Sequence, residues 1–423
     1  MCIRDSDNPV FEEIRGFFSP SNTTLLFFTT SESNIYSVPN DGNGPAINLS
    51  NGLETIGFFS LSEDRKIIAF FALVEGQTQL FSTNTDGSSN PVLITELSQN
   101  INTDFFNPNL TRQSFSLDGS LIFYTVESTL FNGDIVTQLF SVPSDGSLPP
   151  TPLSDQLEGD IDFITSEDGK YIAFTNQSFF NVETSLYIAP VDRSSESILV
   201  DSGDTIHRFN DFDNGQFLVY SITEPVPGTT STHSVIKSIP FNSHRTESPV
   251  IISETNNGVG LNIDTRTNFE VSSDGKFVFY IDDSMPTKLI NRASIDNSTP
   301  IINVIGEKNG LRGLRDSDLV IVDDKLFFIG FSFVSGVALN DQLFSTSFDG
   351  SEVVQISPTF NNNGEPLITT DFDISNDGQF AVFTSINDFT DETTLFSAQL
   401  EKENDPLCFP IKSQNDNFVT ICL

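Results

Sequence analysis

The sequence predicts an all-β chain, and three observations lead to that class. A nine-residue unit recurs along the 423 residues, its apolar runs have the short length of strands, and Asp-Gly or Asn-Gly pairs interrupt them. The clearest copies read SLDGSLIFY, SEDGKYIAF, SSDGKFVFY and SNDGQFAVF, and they begin at Ser116, Ser166, Ser272 and Ser375. A period of this kind indicates a repeat architecture and argues against several unrelated domains.

Each unit is predicted to be a β-hairpin, because Asp-Gly supplies the positive φ angles of a tight turn between alternating apolar residues. Weaker copies bring the total to eight. The turn positions lie 43 to 60 residues apart, at Ser21, Asp64, Asp118, Asp168, Asn214, Asp274, Asp324 and Asp377. Seven copies carry an aromatic residue six positions later, at Phe27, Phe70, Tyr124, Phe174, Tyr220, Tyr280 and Phe383.

A second hairpin follows each first one. Its leading strand reads LFSTN at Leu80–Asn84 and LFSTS at Leu343–Ser347, and Asp86-Gly87 and Asp349-Gly350 then form the turns. Each period therefore contains four antiparallel strands, which is typical of a propeller blade. We predict a single β-propeller of four-stranded antiparallel blades over residues 7–410, with eight blades expected and seven as the alternative. Residues 1–6 are expected to be a non-native leader, and residues 411–423 a strand that closes or clasps the last blade.

The Ser-x-Asp-Gly hairpin followed by Leu-Phe/Tyr and a second Asp-Gly resembles the TolB-type β-propeller repeat, which also occurs in the propeller domains of prolyl-oligopeptidase-like enzymes. The resemblance covers about Phe11 to Pro410. It implies the fold, and it implies a peptide-binding module as one mode of action. The same repeat occurs in scaffolds, lyases and gating domains, so it does not decide among functions.

Two features of the sequence exclude other classes of propeller protein. The chain has no Trp, so repeats of the WD type do not fit. No Gly-x-Ser-x-Gly motif is present, so the hydrolase half of a peptidase is missing from this sequence.

The charge excludes some partners. The chain has 20 Lys and Arg against 58 Asp and Glu, a formal net charge of −38. Nucleic acid and anionic membranes both require clustered bases, so we expect neither as a partner. No apolar run approaches the roughly 18 residues of a membrane span. We expect a monomer that binds a protein or peptide, with a cationic one favoured.

The connections between strands predict where function lies. Successive strands run in opposite directions, so the tight Asp-Gly turns share one face and the connections of variable length share the other. Examples of the variable connections are Thr223–Ser234 and Glu307–Ser317. Because loops on a rigid scaffold often carry function, we expect the partner site on the variable face and at the channel mouth.

Acidic side chains suggest a cation in the channel. Asp162, Asp318 and Asp371 share one position, six residues before the turn, in the strands that line a propeller channel. Converging carboxylates could bind Ca²⁺. The alternative is a solvated acidic wall without a fixed ion. The Asp of each Asp-Gly is instead assigned to turn chemistry, and no residue is predicted to be catalytic.

Histidine and cysteine are scarce. His207, His233 and His244 are each expected to be a lone exposed or hydrogen-bonded residue, since parity puts the last two on opposite faces. Cys408 and Cys422 are predicted to lie opposite each other in a terminal hairpin folded about residue 415, at a separation that suits a disulfide. Two packed, reduced cysteines are the alternative. A disulfide would indicate a periplasmic, cell-surface or secreted location.

These observations favour a non-catalytic, exported binding scaffold. Two alternatives remain open: a metal-dependent lyase or hydrolase of carbohydrate or small molecules with its site in the channel, and a propeller domain from a larger surface protein.

Overall fold

The structure is a computed structural model of the chain. It describes residues 14–18, 25–30, 33–39, 44–95, 105–130, 133–166, 168–177, 183–203, 205–212, 216–225, 232–242, 246–253, 269–282, 289–306, 311–314, 319–334, 337–338, 341–361, 364–375, 378–387, 390, 393–400, 408–412 and 418–422. All 36 elements in these residues are β-strands. Within the same ranges there is no helix of the length and apolar character that would cross a membrane.

The chain divides into two units, Met1–Thr205 and Ile206–Leu423. The first unit contains four antiparallel sheets whose strands follow chain order. The first sheet consists of β1 (Ile14–Phe18), β2 (Leu25–Thr30), β3 (Ile35–Pro39) and β4 (Ile47–Asn48), and the second of β5 (Glu54–Leu61), β6 (Ile67–Val74), β7 (Gln77–Asn84) and β8 (Val92–Leu93). The third consists of β9 (Phe105–Phe115), β10 (Leu121–Leu130), β11 (Ile135–Pro143) and β12 (Thr151–Pro152), with β13 (Leu157–Glu158) also paired to β11. The fourth consists of β14 (Asp160–Thr165), β15 (Tyr171–Gln177), β16 (Thr184–Pro190) and β17 (Ile198–Gly203).

The second unit holds the remaining sheets. The fifth consists of β18 (Thr205–Phe212), β19 (Phe217–Pro225), β20 (Thr232–Pro240) and β21 (Val250–Ile251), and the sixth of β22 (Phe269–Val271), β23 (Phe277–Asp282), β24 (Leu289–Ser294) and β25 (Ile302–Ile305). In the seventh, β26 (Leu311–Leu314) and β27 (Val320–Val322) pair with β28 (Lys325–Val334), which is followed by β29 (Val337–Ala338), β30 (Gln342–Ser347) and β31 (Val353–Gln355). The eighth consists of β32 (Leu367–Ile374), β33 (Phe380–Asn387) and β34 (Thr393–Gln399), and a separate hairpin consists of β35 (Cys408–Lys412) and β36 (Phe418–Cys422).

This order confirms the predicted class, an all-β chain of antiparallel blades, and five of the first eight sheets have four strands. Among the described residues, each of the eight repeat copies occupies its own sheet. The blade count stays a prediction, as do the boundaries at residues 7 and 410. The leader at residues 1–6 lies outside the described ranges.

The Ser-x-Asp-Gly turn is held by its own side chains. In the third sheet the Ser116 hydroxyl donates to Asp118 Oδ1 at 2.7 Å, and the Ser120 N–H donates to the same oxygen at 3.0 Å. The Leu121 N–H in turn donates to Ser116 Oγ at 2.9 Å. Equivalent bonds occur at Asp64, Asp168 and Asp274. The assignment of these aspartates to turn chemistry is therefore confirmed.

Two copies differ from the predicted alignment. In the first sheet Phe28 pairs with Tyr36, while Phe27 pairs with Ser37. The aromatic position of that copy is therefore Phe28, one residue beyond the predicted Phe27, because its turn lacks the Asp-Gly that sets the register. In the seventh sheet β27 and β28 are joined by two residues, Asp323 and Asp324, where the other hairpins use a longer turn.

The aromatic positions form rows across the sheets. Phe174 on β15 stacks on Tyr187 of β16 with ring centroids 5.2 Å apart, and Phe163 of β14 pairs with Phe174 from the other side. Stacked pairs at the same two positions occur in four other sheets, as Phe70–Phe81, Tyr124–Phe140, Phe328–Phe344 and Phe383–Phe396. The aromatic repeat therefore fills space by stacking across strands within these five sheets.

The other side of the second strand is buried in most of the sheets. On the second strand of each sheet, one residue pairs with the third residue of the Leu-Phe-Ser strand. We call this residue of the second strand the covered position. It is at most 2% exposed in seven sheets, at Phe27, Ala69, Phe123, Ala173, Val219, Phe279 and Phe327. Phe123, for example, packs with Ile172 and Phe174 of the fourth sheet.

The eighth sheet differs at this position. Val382 occupies its covered position and is 41% exposed, and Leu395 on the adjoining strand is 58% exposed. The leucine or isoleucine equivalent to Leu395 is at most 2% exposed in the other sheets, at Ile35, Leu80, Leu139, Leu186, Ile236, Ile290 and Leu343. Val382 and Leu395 are therefore more exposed than their equivalents in the other described sheets.

Hydrogen bonds also join neighbouring sheets. The Ser82 hydroxyl on β7 donates to the Ser144 carbonyl at 2.6 Å. The equivalent serines bond in the same way, Ser37 to the carbonyl of Thr85 and Ser238 to that of Ile295. In every case the acceptor is the residue just before the Asp of the second hairpin turn in the next sheet.

Candidate functional site

The two kinds of variable connection meet at one end of the strands. Glu365 lies between the seventh and eighth sheets, and Asn387 lies at the end of β33, where the second-to-third connection begins. The Asn387 Nδ2–H donates to Glu365 Oε2 at 2.7 Å. At the opposite end, the Thr85 hydroxyl of one tight turn donates to the Arg65 carbonyl of the other at 2.7 Å. The predicted variable face is therefore confirmed for these sheets.

The described residues 358–361 and 364–366 of the connection between the seventh and eighth sheets lie on this face and bond to one another. The Asn361 N–H donates to the Glu365 carbonyl at 2.8 Å, and the Gly364 N–H donates to the Asn361 carbonyl at 3.0 Å. The Asn361 amide donates to Glu365 Oε2 at 2.7 Å and accepts from the Glu365 N–H at 2.9 Å. Since Asn387 also bonds Glu365, the loop is tied to the end of β33.

These bonds favour the ionised form of the Glu365 carboxylate. The amide groups of Asn361 and Asn387 both donate to it, and they lower its pKa below the ordinary glutamate value. Donors that bond the charged form stabilise that form. The loop therefore carries a fixed negative charge at neutral pH.

Phe360 is presented on the other side of the loop. It bridges to Pro366, and the next pair inward is Asn361 with Glu365. Adjacent residues of an extended strand point to opposite sides. Glu365, on the same side as Asn361, is bound to Asn387. Phe360 is therefore directed away from that contact, and it is 52% exposed. An exposed aromatic ring on a fixed loop is a feature typical of a binding surface.

A buried polar network fixes the base of the loop. The Ser357 hydroxyl donates to Gln342 Oε1 at 2.8 Å and accepts from the Thr369 hydroxyl at 2.9 Å. Gln342 Nε2 donates to the Leu367 carbonyl at 2.8 Å, and Thr369 lies 3.3 Å from Ser385 Oγ. All four side chains are almost fully buried. The network connects β30, β32 and β33 beneath Phe360.

The predicted calcium site stays a prediction, because Asp162 and Asp371 belong to different units of the chain. Asp162 Oδ1 is 2.8 Å from Arg112 Nη1, and Asp160 Oδ2 is 3.5 Å from Arg112 Nη2. The Arg112 guanidinium therefore forms ion pairs with both carboxylates. Asp371 lies in the other unit, where its Oδ1 accepts from the Phe372 N–H. Asp318 lies outside the described residues. No group of three His, Cys, Asp or Glu side chains that suits a metal occurs within the described part of the chain.

His233 belongs to a polar cluster that the sequence reading missed. His233 Nε2 is 3.4 Å from Glu224 Oε1, and Lys237 Nζ is 2.7 Å from Glu224 Oε2. Lys237 pairs with Tyr220 and so takes the place of the third-strand aromatic. The sequence carries a signal for this cluster, because Ile236-Lys237-Ser238 stands where other copies have Leu-Phe-Ser. The side chain of His207 and the whole of His244 lie outside the described residues.

The terminal cysteines have the predicted register. Cys408 on β35 lies directly opposite Cys422 on β36. The fold-back about residue 415 is therefore confirmed, and the disulfide stays a prediction.

The repeat, the sheets and the two faces together decide the fold. Each of the first eight sheets carries one Ser-x-Asp-Gly hairpin or its variant, and consecutive strands along the chain pair within it. The chain has a β-propeller type of fold, built from tandem antiparallel sheets. No family model matches this propeller, and no curated protein matches it.

Solved propeller structures are similar to this one at low identity. A prolyl endopeptidase is 11% identical with a TM-score of 0.45, and the match covers 87% of this chain and 54% of the enzyme. The β-propeller domain of the Trilobed protease from Pyrococcus furiosus is 12% identical, with coverage of 84% and 97% and a TM-score of 0.38. TolB from Acinetobacter baumannii is 16% identical, with coverage of 62% and 57% and a TM-score of 0.32. This propeller spans about half the length of the prolyl endopeptidase.

Proposed function

We propose that the chain is a non-catalytic, exported scaffold that binds a protein or extended peptide through its variable-loop face. The observation that carries the proposal is Phe360, exposed on a loop whose other side is tied to Asn387. A fixed loop loses little conformational entropy on binding, and an exposed aromatic ring gives a large apolar contact.

The charge of the chain supports a basic partner. The net charge is −38, and Glu365 in the same loop stays ionised. Complementary charge speeds encounter and selects among partners. We therefore propose an extended segment that combines Lys or Arg with an apolar side chain that packs on Phe360.

Selection from a random peptide library displayed on phage tests the proposal. The full chain is the target, and bound peptides are measured against wild type, Phe360→Ala and Leu148→Ala. Leu148 is an exposed apolar residue beside a tight turn, so it is the matched control. We expect the selected peptides to be rich in Lys and Arg and to bind Phe360→Ala about tenfold more weakly, equivalent to about 1.4 kcal/mol. Equal affinity for all three proteins would refute the proposed site.

The metal content of the purified protein distinguishes the metal-dependent enzyme from the binding scaffold. A channel site built from Asp162, Asp318 and Asp371 would retain stoichiometric metal after dialysis against chelator-free buffer, as measured by elemental analysis. Metal-free protein with an unchanged melting transition would remove that alternative.

A further inference from the structure

The C-terminal hairpin is a small element of two strands. Strands β35 and β36 form a two-stranded sheet, and among the described residues neither strand pairs with a third. Five cross-strand pairs define it, from Cys408 with Cys422 at the open end to Lys412 with Phe418 at the turn. An isolated two-stranded hairpin is only marginally stable in water. Something beyond backbone pairing is therefore needed to keep it folded.

The open end of the hairpin has the geometry of a cross-link. Directly opposite residues of an antiparallel pair have Cα atoms about 4.5 or 5.5 Å apart, depending on the hydrogen-bonding site. Disulfides span Cα separations of about 4.4 to 6.8 Å. Either kind of pair therefore suits a disulfide at this register. The remaining cysteine, Cys2, lies at the other end of the sequence.

We propose that Cys408 and Cys422 form a disulfide and that this bond decides whether the hairpin is folded. In the reaction the two thiols lose two protons and two electrons as the S–S bond forms. A small disulfide such as glutathione disulfide accepts them, and its own S–S bond breaks to give two molecules of glutathione. The proposal concerns the tail alone and does not depend on the proposed binding function.

The size of the effect follows from the closed ring. The bond closes 15 residues, from Cys408 to Cys422. Restricting an unfolded ring of this length favours the folded hairpin by about 100-fold in equilibrium constant. The fraying end of the hairpin is also the end that is cross-linked, so the bond acts where strand separation would begin.

Peptide mapping tests the bond. The full-length protein is equilibrated with glutathione and glutathione disulfide, free thiols are alkylated, and trypsin is added without reductant. Cleavage after Lys402 and Lys412 puts the two cysteines on separate peptides, 403–412 and 413–423, while Cys2 lies on peptide 1–4. We expect the first two peptides to remain linked until dithiothreitol is added, and Cys2 to be alkylated. Alkylation of both tail peptides, or a link to Cys2, would overturn the proposal.

Hydrogen exchange tests the consequence. We expect amides of β35 and β36 to exchange about 100-fold faster after reduction. The double variant Cys408→Ser, Cys422→Ser is the control, and its exchange rates should not respond to reductant. If the wild-type hairpin exchanges at the same rate in both redox states, the bond does not decide its folding.

Discussion

The Ser82 hydroxyl donates a buried 2.6 Å hydrogen bond to the carbonyl of Ser144, which belongs to the next sheet. Two further serines make the same contact at the same repeat position. Because each bond crosses from one sheet to its neighbour, it fixes how far the two sheets slide along each other. Removing the donor leaves the buried Ser144 carbonyl without this partner.

The first prediction follows from that bond. Ser82→Ala should lower the free energy of unfolding by about 1–2 kcal/mol, since a buried acceptor loses its donor. Denaturant titration followed by circular dichroism measures the change. Ser114→Ala, an exposed serine on β9, is the control and should change stability by less than about 0.5 kcal/mol. Equal effects would mean that the inter-sheet bond contributes nothing.

Gly350 is predicted to be intolerant of any side chain. It has φ of 71°, and a Cβ at this residue would overlap the Val304 carbonyl of the preceding sheet. Gly169 has φ of 68° but open space around it. Gly169→Ala should cost about 1–2 kcal/mol from backbone strain alone. Gly350→Ala should cost clearly more, because the backbone of the neighbouring sheet must move. Similar melting temperatures for the two variants would contradict the close approach.

One repeat position offers a matched pair of leucines, Leu343 and Leu395. The first is fully buried and the second is 58% exposed. Leu343→Ala should destabilise the protein by about 2–5 kcal/mol, and Leu395→Ala by less than about 1 kcal/mol. Equilibrium unfolding measures both. Equal losses would show that Leu395 is covered in solution.

Acid should weaken the fold through its turn aspartates. Hydrogen bonds from neighbouring Ser or Lys residues lower the pKa of nine of them, at Asp64, Asp86, Asp118, Asp145, Asp168, Asp192, Asp274, Asp296 and Asp349. The unfolded chain therefore binds more protons between the folded pKa and the ordinary value of about 4. The contribution of these aspartates to the free energy of unfolding should be fully present above about pH 4. It should be lost as the pH falls through their pKa values in the folded protein.

Urea unfolding between pH 7 and pH 2.5 measures this dependence. The variant Asp118→Asn removes one titrating group, so its stability should fall less steeply below pH 4 than that of wild type. A wild-type stability that stays constant from pH 5 to pH 3 would rule out the turn aspartates as the cause.

Much of the fold could be predicted because its signals are local. An Asp-Gly turn is encoded within a few residues, so Asp118 and its hairpin follow from sequence alone. The register of Cys408 with Cys422 follows from one turn and an equal count of residues on either side. Where the local signal is absent, as in the first copy, the predicted register is one residue off.

The missed features depend on contacts between distant segments. The serine of LFS recurs visibly, but its acceptor lies in another sheet, 62 residues away for Ser82. A second recurring hydroxyl, as in Ser154, accepts from the Leu139 N–H at 3.0 Å and was also unrecognised. The exposure of Phe360 likewise depends on what the tertiary structure leaves uncovered. The burial of a side chain and its partners in distant segments cannot be predicted from the repeat sequence alone.

The hydrogen bond from serine to the next sheet also affects how a chain of this kind could gain repeat copies. Each repeat copy that contains both elements carries a donor for the sheet that follows and an acceptor for the sheet that precedes it. A tandem duplication of one whole copy would therefore supply both halves of the new junction. Gene duplication in whole units would preserve the alignment of sheets, whereas a duplication of half a unit would separate donor from acceptor.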